Sequence, residues 1–273
     1  MPEPYHIHIA HAPQPRLALT IVHGLGEHGA RYRYASEWFS SRGVGVLAGD
    51  LPGHGRSAGA RGHIDRFDEY ERAAAAFLRA AREQFPADVP HVLFGHSMGG
   101  LIAALTAARL ADARDPAAPD GVILSSPAFA LCLSLPSFKV WAARAVSLFL
   151  PRLTQPSGIL PNLVTRNPEV QAADAADPLL LNSVSLRWFF EFRRGMRQSP
   201  DCAAAIRVPL AVFAAGGDLI VDTSATRRWF ASVPGEQKEY REYPGLLHEI
   251  LNEPERDTVL ADIMDWLDRT FPR

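Results

Sequence analysis

Short runs of almost wholly apolar residues recur along this chain. The run at 17–23 (LALTIVH) is followed by others at 44–48, 92–94, 122–124 and 210–214. Apolar runs of this length, without alternating polar positions, are typical of strands that are buried on both faces of a sheet. These runs therefore predict buried strands.

Segments with the spacing of amphipathic helices separate several of these runs. They cover 31–42, 67–85 and 101–110, and each is long enough to cross a sheet. Strands that alternate with helices predict a parallel α/β sheet whose faces are covered by helices.

The alternation stops after Ser126. Helical pieces broken by prolines follow, without a clear strand before residue 210; the prolines are Pro127, Pro136, Pro151, Pro156 and Pro161. Because strand-like runs resume afterwards, we interpret residues 127–206 as an insertion between two strands of one sheet. On this interpretation residues 1–126 and 207–273 form the core, and 127–206 form a helical cap.

Composition limits the kinds of partner. The 273 residues are 47% hydrophobic and 21% charged, as in an ordinary globular protein with a packed core. Lys and Arg number 28 against 30 Asp and Glu, a net charge of −2, so we expect no broad cationic surface for nucleic acid or an anionic bilayer. Two cysteines, Cys132 and Cys202, are too few for a disulfide framework.

The chain shows no targeting signal. Its first residues, MPEPYH, lack the basic start and apolar run of a secretory signal. No stretch reaches the roughly 18 apolar residues of a membrane span. These features predict a cytoplasmic protein.

The pattern Gly-x-Ser-x-Gly, which can mark a nucleophilic serine, occurs twice. In GHSMG, Ser97 lies between a strand-like run and a helical segment. A sharp turn between strand and helix is the setting that exposes a nucleophilic hydroxyl. In GRSAG, Ser57 lies among loop residues and further glycines, which favours an ordinary turn. Ser97 is therefore the predicted nucleophile.

A serine nucleophile needs a histidine base and a carboxylate that orients it, in the chain order Ser, acid, His for this motif. Asp218 lies in the turn after the run at 210–214 and is the predicted acid. Asp222 is the alternative, although its position before the next helical segment suits a helix cap better. His248 is the only histidine after Asp218 and follows a strand-like segment at 239–243, so it is the predicted base.

An acyl-transfer site also needs backbone N–H donors for the oxyanion that develops. Met98, directly after the nucleophile, is one predicted donor, and Leu25, in the loop HGLGEH at 23–28, is the other. No metal is predicted, because His23 and His54 have no Cys or carboxylate partner at ligand spacing.

Together these motifs resemble one known group of enzymes. The loop HGLGEH with Arg31 and Tyr32, the segment DLPGHGRS at 50–57 and GHSMGG at 95–100 are similar to those of the monoacylglycerol lipase and lysophospholipase branch of the α/β-hydrolases, which are serine aminopeptidase S33-like proteins. The likeness runs over nearly the whole chain. It implies the α/β-hydrolase fold with a helical cap before the acid-bearing strand, and the same triad and oxyanion donors.

The resemblance also implies a substrate. It indicates a serine ester hydrolase of single-chain lipids, with monoacylglycerol first and lysophospholipid second, that acts through an acyl-enzyme without a cofactor. In the family, an acidic and a basic residue of the first loop help to receive a glycerol head group, which assigns Glu27 and Arg31 to that role. An ion pair between these two residues is the structural alternative.

The predicted cap contains an unusually apolar helical stretch at 138–150, with Phe138, Trp141 and Phe149. Packing over the active site is its simplest interpretation; lining an acyl tunnel and touching membranes transiently is the further hypothesis. Two other functions are compatible with the same residues: a carboxylesterase for short soluble esters, and a catalytically silent binding module of the same fold. No oligomeric state is predicted.

Overall fold

A mostly parallel sheet forms the centre of the protein. The computed structural model describes residues 5–132 and 137–272, and of Ser137 and Lys139 the backbone only. Residues 1–4 and Pro136, considered above, lie outside that part of the chain. The strands are β1 (Ile7–Ala10), β2 (Leu17–Val22), β3 (Val44–Gly49), β4 (His91–His96), β5 (Gly121–Ser125), β6 (Thr154–Pro156), β7 (Ser183–Ser185), β8 (Leu210–Ala215) and β9 (Lys238–Tyr243).

Seven of these strands form the central sheet, in the order β1-β3-β2-β4-β5-β8-β9. β1 runs antiparallel to β3, and the other pairs are parallel. β6 and β7 pair with each other in the segment between β5 and β8.

Helices cover both faces of the sheet. They are a 3-10 turn (Gly29–Tyr32), α1 (Arg33–Ser40), α2 (Asp68–Gln84), α3 (Met98–Asp112), α4 (Ser137–Phe149), α5 (Pro161–Val164), α6 (Pro168–Ala176), α7 (Leu186–Ala203), α8 (Thr223–Ser232) and α9 (Arg256–Thr270). Phe39 of α1 and Ile263 of α9 are buried against one face. Phe77 of α2 and Ile102 of α3 are buried against the other. This arrangement confirms the predicted parallel sheet flanked by helices.

Three local expectations differ from the structure. No clear strand was expected between residues 127 and 210, but the three-residue strands β6 and β7 lie there, too short to carry an apolar run. β1 was not expected either, because this four-residue edge strand has only partly buried side chains and no continuous apolar run. The first helix was expected from residue 31 but begins at Arg33, because Gly29–Tyr32 form a 3-10 turn. Gly29 packs closely there: a Cβ on it would lie 2.8 Å from the Ala48 carbonyl oxygen.

The strand order places a crevice above β2 and β4. β3 lies on one side of β2 and β4 on the other, so the connections that leave β2 and β4 run to opposite sides of the sheet. In open α/β sheets, ligands bind at the carboxyl ends of the strands where the order reverses in this way. The loop at 23–28 and Ser97 both lie at that point.

The segment between β5 and β8 contains α4 to α7 and the β6–β7 pair. Its last helix, α7, buries Trp188 and Phe192 in the same apolar cluster as α3. Its first helix, α4, leaves Phe138, Trp141 and Phe149 exposed at 72%, 77% and 84%. Across residues 5–132 and 137–272, no helix combines the length and the apolar character that crossing a bilayer requires.

Candidate active site

Ser97 lies at a sharp turn between β4 and α3. Its backbone has φ 54° and ψ −120°, a conformation that L-residues rarely adopt. Gly95 and Gly99 allow this turn, since a Cβ on Gly95 would overlap the Gly99 carbonyl oxygen and one on Gly99 would overlap the Val22 carbonyl oxygen. The turn raises the serine hydroxyl above the edge of the sheet, as a nucleophile requires.

The structure brings Ser97, His248 and Asp218 together. His248 Nε2 lies 2.7 Å from Ser97 Oγ, and His248 Nδ1 lies 2.7 Å from Asp218 Oδ2. Ser97 and His248 are buried, and the side chain of Asp218 is fully buried. A neutral imidazole that carries its proton on Nδ1 donates to Asp218 and accepts from the serine hydroxyl. It is therefore oriented to remove the hydroxyl proton.

Neighbouring charges set the pKa values of this pair. Burial lowers the pKa of His248, but the charge and the hydrogen bond of Asp218, together with the charges of Glu249 and Glu27, outweigh burial and raise that pKa above 6.5. Burial raises the pKa of Asp218, but His248 and the hydrogen bonds from the Ile220 and Val221 N–H groups lower it below 3.8. Asp218 therefore stays ionised when His248 takes a proton.

The alternative residues have structural roles. Asp222 caps α8, because its Oδ1 accepts a hydrogen bond from the Ala225 N–H. Ser57 Oγ donates to the Asp50 carbonyl oxygen and accepts from the His6 N–H, which holds the loop after β3 against the N-terminal segment.

Ser97 opens into an apolar cavity of about 300 Å³. Leu25 and Met98, the predicted oxyanion donors, line this apolar cavity with it. Met98 is the first residue of α3, so its N–H has no partner inside the helix. Much of the remaining wall comes from α7, from the loop after β6 and from α5: Trp188, Phe189, Phe192, Gly158, Ile159 and Leu163.

A polar cavity of about 400 Å³ adjoins the apolar cavity. Leu25, Ser157 and Ile159 line both. The charged side chains that line the polar cavity are Glu27, Arg31, Asp174, Asp177 and Glu249.

Arg31 joins these carboxylates. Its Nε and Nη2 donate to Asp174 at 3.1 and 2.6 Å, and its Nη1 and Nη2 donate to Glu249 at 3.1 and 2.9 Å. Glu27 Oε1 lies farther away, 3.6 Å from Nη1, while Glu27 Oε2 accepts from the Tyr32 hydroxyl. Glu27 and Arg31 thus form an ion pair, but the closer partners of Arg31 are Asp174 and Glu249. Sequence reasoning missed both, and no local spacing signals them.

Burial and Arg31 have opposite effects on these carboxyl groups. Burial raises the pKa of Glu27 to about 7, and the opposing charge of Arg31 does not cancel that effect. Burial also raises the pKa of Glu249, but the charge of Arg31 and its hydrogen bonds, with smaller effects of His96 and Asn252, outweigh burial and lower the pKa to about 2. The ring of His96 lies 4.9 Å from the ring of His248, and burial lowers the pKa of His96 to about 3, so His96 is neutral.

Within the part of the chain that the structure describes, two groups of side chains place three potential metal-ligating atoms within 4.8 Å of one another: Glu27 with His96 and Glu249, and His6 with His8 and Asp50. In the first group, the guanidinium of Arg31 already balances Glu249. In the second, the Asp50 oxygens accept hydrogen bonds from the Gly29 and Arg56 N–H groups. Both carboxylates are therefore engaged within the protein.

The structure does not bring Phe138, Trp141 and Phe149 to the apolar cavity, where a tunnel lining was expected. α4 carries these rings on its exposed surface. The aromatic wall comes from α7 instead, where Trp188 and Phe192, four residues apart, lie on one buried helix face.

Comparison with known proteins gives this geometry a family. The family model described as serine aminopeptidase, S33, matches residues 13–255. Phospholipase YtpA of Bacillus subtilis (strain 168) is 38% identical over 249 residues, which cover 91% of this chain and 93% of that protein. A monoacylglycerol lipase of Mycolicibacterium smegmatis is 32% identical over 254 residues, which cover 93% of this chain and 88% of that protein.

A solved structure is similar over the same extent. The crystal structure of Paleococcus ferrophilus monoacylglycerol lipase matches with a TM-score of 0.83 and 30% sequence identity, and the match covers 96% of this chain and 98% of that chain. The chain therefore belongs to the serine aminopeptidase S33 family and has the α/β-hydrolase fold.

Proposed function

We propose that this chain is a serine hydrolase that cleaves the ester bond of single-chain lipids, with monoacylglycerol as the leading substrate. The observation that carries the proposal is the run of hydrogen bonds from Asp218 through His248 to Ser97, at the wall of an apolar cavity. The names of the relatives, a phospholipase and monoacylglycerol lipases, support a lipid ester as the substrate.

The reaction uses two steps. Ser97 Oγ attacks the ester carbonyl while His248 Nε2 takes its proton, and the negative oxygen of the tetrahedral intermediate accepts hydrogen bonds from the Leu25 and Met98 N–H groups. His248 then gives the proton to the departing alcohol as the C–O bond breaks, which leaves an acyl-enzyme. Water that loses a proton to His248 attacks the acyl carbonyl, and the fatty acid leaves as Ser97 recovers its proton.

The two cavities receive the two ends of the substrate. The acyl chain occupies the apolar cavity, whose wall is mainly aliphatic and aromatic. The alcohol occupies the polar cavity, where Glu27 and Arg31 lie. This assignment gives Glu27 and Arg31 the head-group role that the family resemblance implies.

The exposed face of α4 is the surface that meets lipid. Phe138, Trp141, Leu148 and Phe149 are each at least 72% exposed on this helix, and an apolar helix surface of this kind binds the interface of a bilayer. Replacement of the three aromatic residues by Ser should reduce co-sedimentation with vesicles that contain monoacylglycerol. Unchanged vesicle binding and unchanged long-chain hydrolysis would contradict this role.

A series of glyceryl and nitrophenyl esters of increasing chain length tests the function. We expect long-chain monoacylglycerol hydrolysis that disappears in Ser97→Ala, together with fluorophosphonate labelling that disappears in the same variant. Activity restricted to short esters would favour a carboxylesterase, and faster cleavage of lysophospholipid would favour a lysophospholipase. A folded wild type that is not labelled would favour the silent binding module.

A further inference from the structure

Negative charge dominates the polar cavity. Its described lining residues include four carboxyl groups, those of Glu27, Asp174, Asp177 and Glu249, and one guanidinium, that of Arg31. Three of them lie within 3.6 Å of this guanidinium, whereas Asp177 Oδ2 lies 2.9 Å from His28 Nε2. Even when Glu27 carries a proton, three carboxyl groups remain against one cation. A bound anion would therefore meet an excess of like charge.

The guanidinium of Arg31 is already occupied. A guanidinium has five N–H groups, and four of them donate to Asp174 and Glu249 at 2.6 to 3.1 Å. Glu27 Oε1 lies 3.6 Å from Nη1, which carries the fifth. An entering phosphate would have to displace a buried carboxylate from Arg31, and that carboxylate would then lose its partner.

These charges lie next to the reacting atoms. A Cβ on Gly24 would lie 2.8 Å from Glu27 Oε1 and 3.1 Å from Ser97 Cβ, so the carboxylate and the nucleophile are close neighbours. Leu25, the predicted oxyanion donor, lines both cavities. An ester whose carbonyl lies at Ser97 and whose chain fills the apolar cavity therefore directs its leaving group past Glu27 into the polar cavity, which the other carboxyl groups line.

We propose that the polar cavity discriminates by charge, so that the enzyme accepts single-chain lipid esters with neutral head groups and rejects those with anionic ones. Asp174 of α6 and Asp177, which follows α6, are the specificity-determining residues that set this preference. The inference rests on the proposed function, because it assigns the polar cavity to the leaving group.

Three lipids with the same palmitoyl chain test the proposal: monopalmitoylglycerol, palmitoyl lysophosphatidylcholine and palmitoyl lysophosphatidic acid, each in the same neutral detergent micelles. We expect kcat/KM for the lysophosphatidic acid to be about tenfold or more below that for the monoacylglycerol, with the zwitterionic lipid between them. Asp174→Asn and Asp177→Asn keep the side-chain size and remove one charge each. Each variant should reduce severalfold the ratio of kcat/KM for the monoacylglycerol to kcat/KM for the lysophosphatidic acid. A loss of folded protein alone would lower both values and leave this ratio unchanged.

Asp112→Asn is the matched control, because Asp112 is exposed at the opposite end of α3 from Ser97 and should leave the ratio unchanged. Wild-type kcat/KM values within twofold of each other for the neutral and anionic lipids would overturn the discrimination by charge and leave the proposed function intact. A ratio that depends on Arg193→Gln, in the apolar cavity, and not on Asp174 or Asp177 would overturn it as well. Cleavage of short nitrophenyl esters but of none of the three lipids would overturn the proposed function, and this inference with it.

Discussion

The two cavities that meet at Leu25 are built in opposite ways. The apolar cavity is walled by aromatic and aliphatic side chains of α7 and the loop after β6, and their burial is favourable without regard to direction. The polar cavity is organised around Arg31, whose hydrogen bonds hold Asp174 and Glu249. There, each buried charge depends on its partner.

Because of this contrast, one serine can act on a substrate that has an apolar and a polar end. A substitution in the apolar cavity changes which chain fits, because the wall acts through its shape and volume. A substitution in the polar cavity changes the balance of buried charge, and through it both the stability of the fold and the protonation of His248. The catalytic triad is the group that both cavities share, so its loss should affect every substrate.

Asp218→Asn should have the largest effect, because it disables the base that serves both cavities while leaving their walls intact. We expect kcat to fall by a factor on the order of 10⁴. The acid limb of the pH profile should also move to lower pH, since the charge of Asp218 raises the pKa of His248. Steady-state kinetics across pH measures both effects. Asp222→Asn is the matched control, because Asp222 caps α8 and, among the described residues, its carboxylate bonds only to Ser224, Ala225 and Arg228 of that helix. Equal losses for the two variants would contradict the assignment of the acid.

Arg31→Ala should destabilise the protein through the polar cavity and leave the apolar cavity unchanged. It leaves the carboxylates of Asp174 and Glu249 buried without their cation, so we expect a loss of about 3–5 kcal/mol in the free energy of unfolding. Urea denaturation measures this loss. Arg66→Ala removes an exposed ion pair and should cost no more than about 1 kcal/mol. Similar costs for the two variants would show that the polar cavity is not held together by Arg31.

Leu163→Trp should affect the apolar cavity alone. The larger ring occupies space in a cavity of about 300 Å³, so kcat/KM for long-chain esters should fall about tenfold, or ~1.4 kcal/mol, with little change for short esters. Ile9→Trp, at an exposed position on the edge strand β1, is the control for adding an indole elsewhere. An equal fall for short and long chains would argue against an acyl chain in this cavity.

Glu27→Gln should give the smallest shift. Glu27 contributes to the raised pKa of His248, so the amide should move the acid limb of kcat/KM down by a few tenths of a pH unit. In the wild type that limb should lie above pH 6.5, because activity needs neutral His248 and is lost as the pH falls through its raised pKa. Glu37→Gln, at an exposed position on α1, should leave the limb in place. An acid limb that moves to higher pH in Glu27→Gln would contradict the conclusion that Glu27 raises the pKa of His248.

The central sheet was predictable because buried strands leave a local signature, as in the runs that became β2 and β8. Ser97, Asp218 and His248 were predictable from a motif and a chain order, and the structure places them within hydrogen-bond distance. The polar cavity was not predictable. Arg31 is 143 residues from Asp174 and 218 from Glu249, and nothing in their local sequence indicates these contacts.

The aromatic residues show a second limit. The stretch at 138–150, which forms α4, is more apolar than α7. Yet α4 exposes its aromatic rings, while α7 buries Trp188 and Phe192. Apolar content predicts a helix that meets something apolar. It does not say whether the protein interior or an outside surface supplies the contact.

A crystal structure of the protein inhibited by a long-chain alkyl phosphonate with a glyceryl ester arm would locate the nucleophile, the oxyanion donors and the acyl site together. We expect phosphorus bonded to Ser97 Oγ, its oxygen within hydrogen-bond distance of the Leu25 and Met98 N–H groups, and the alkyl chain beside Trp188 and Phe192. Phosphorus on another residue, or an alkyl chain that lies along Arg31 in the polar cavity, would contradict the account.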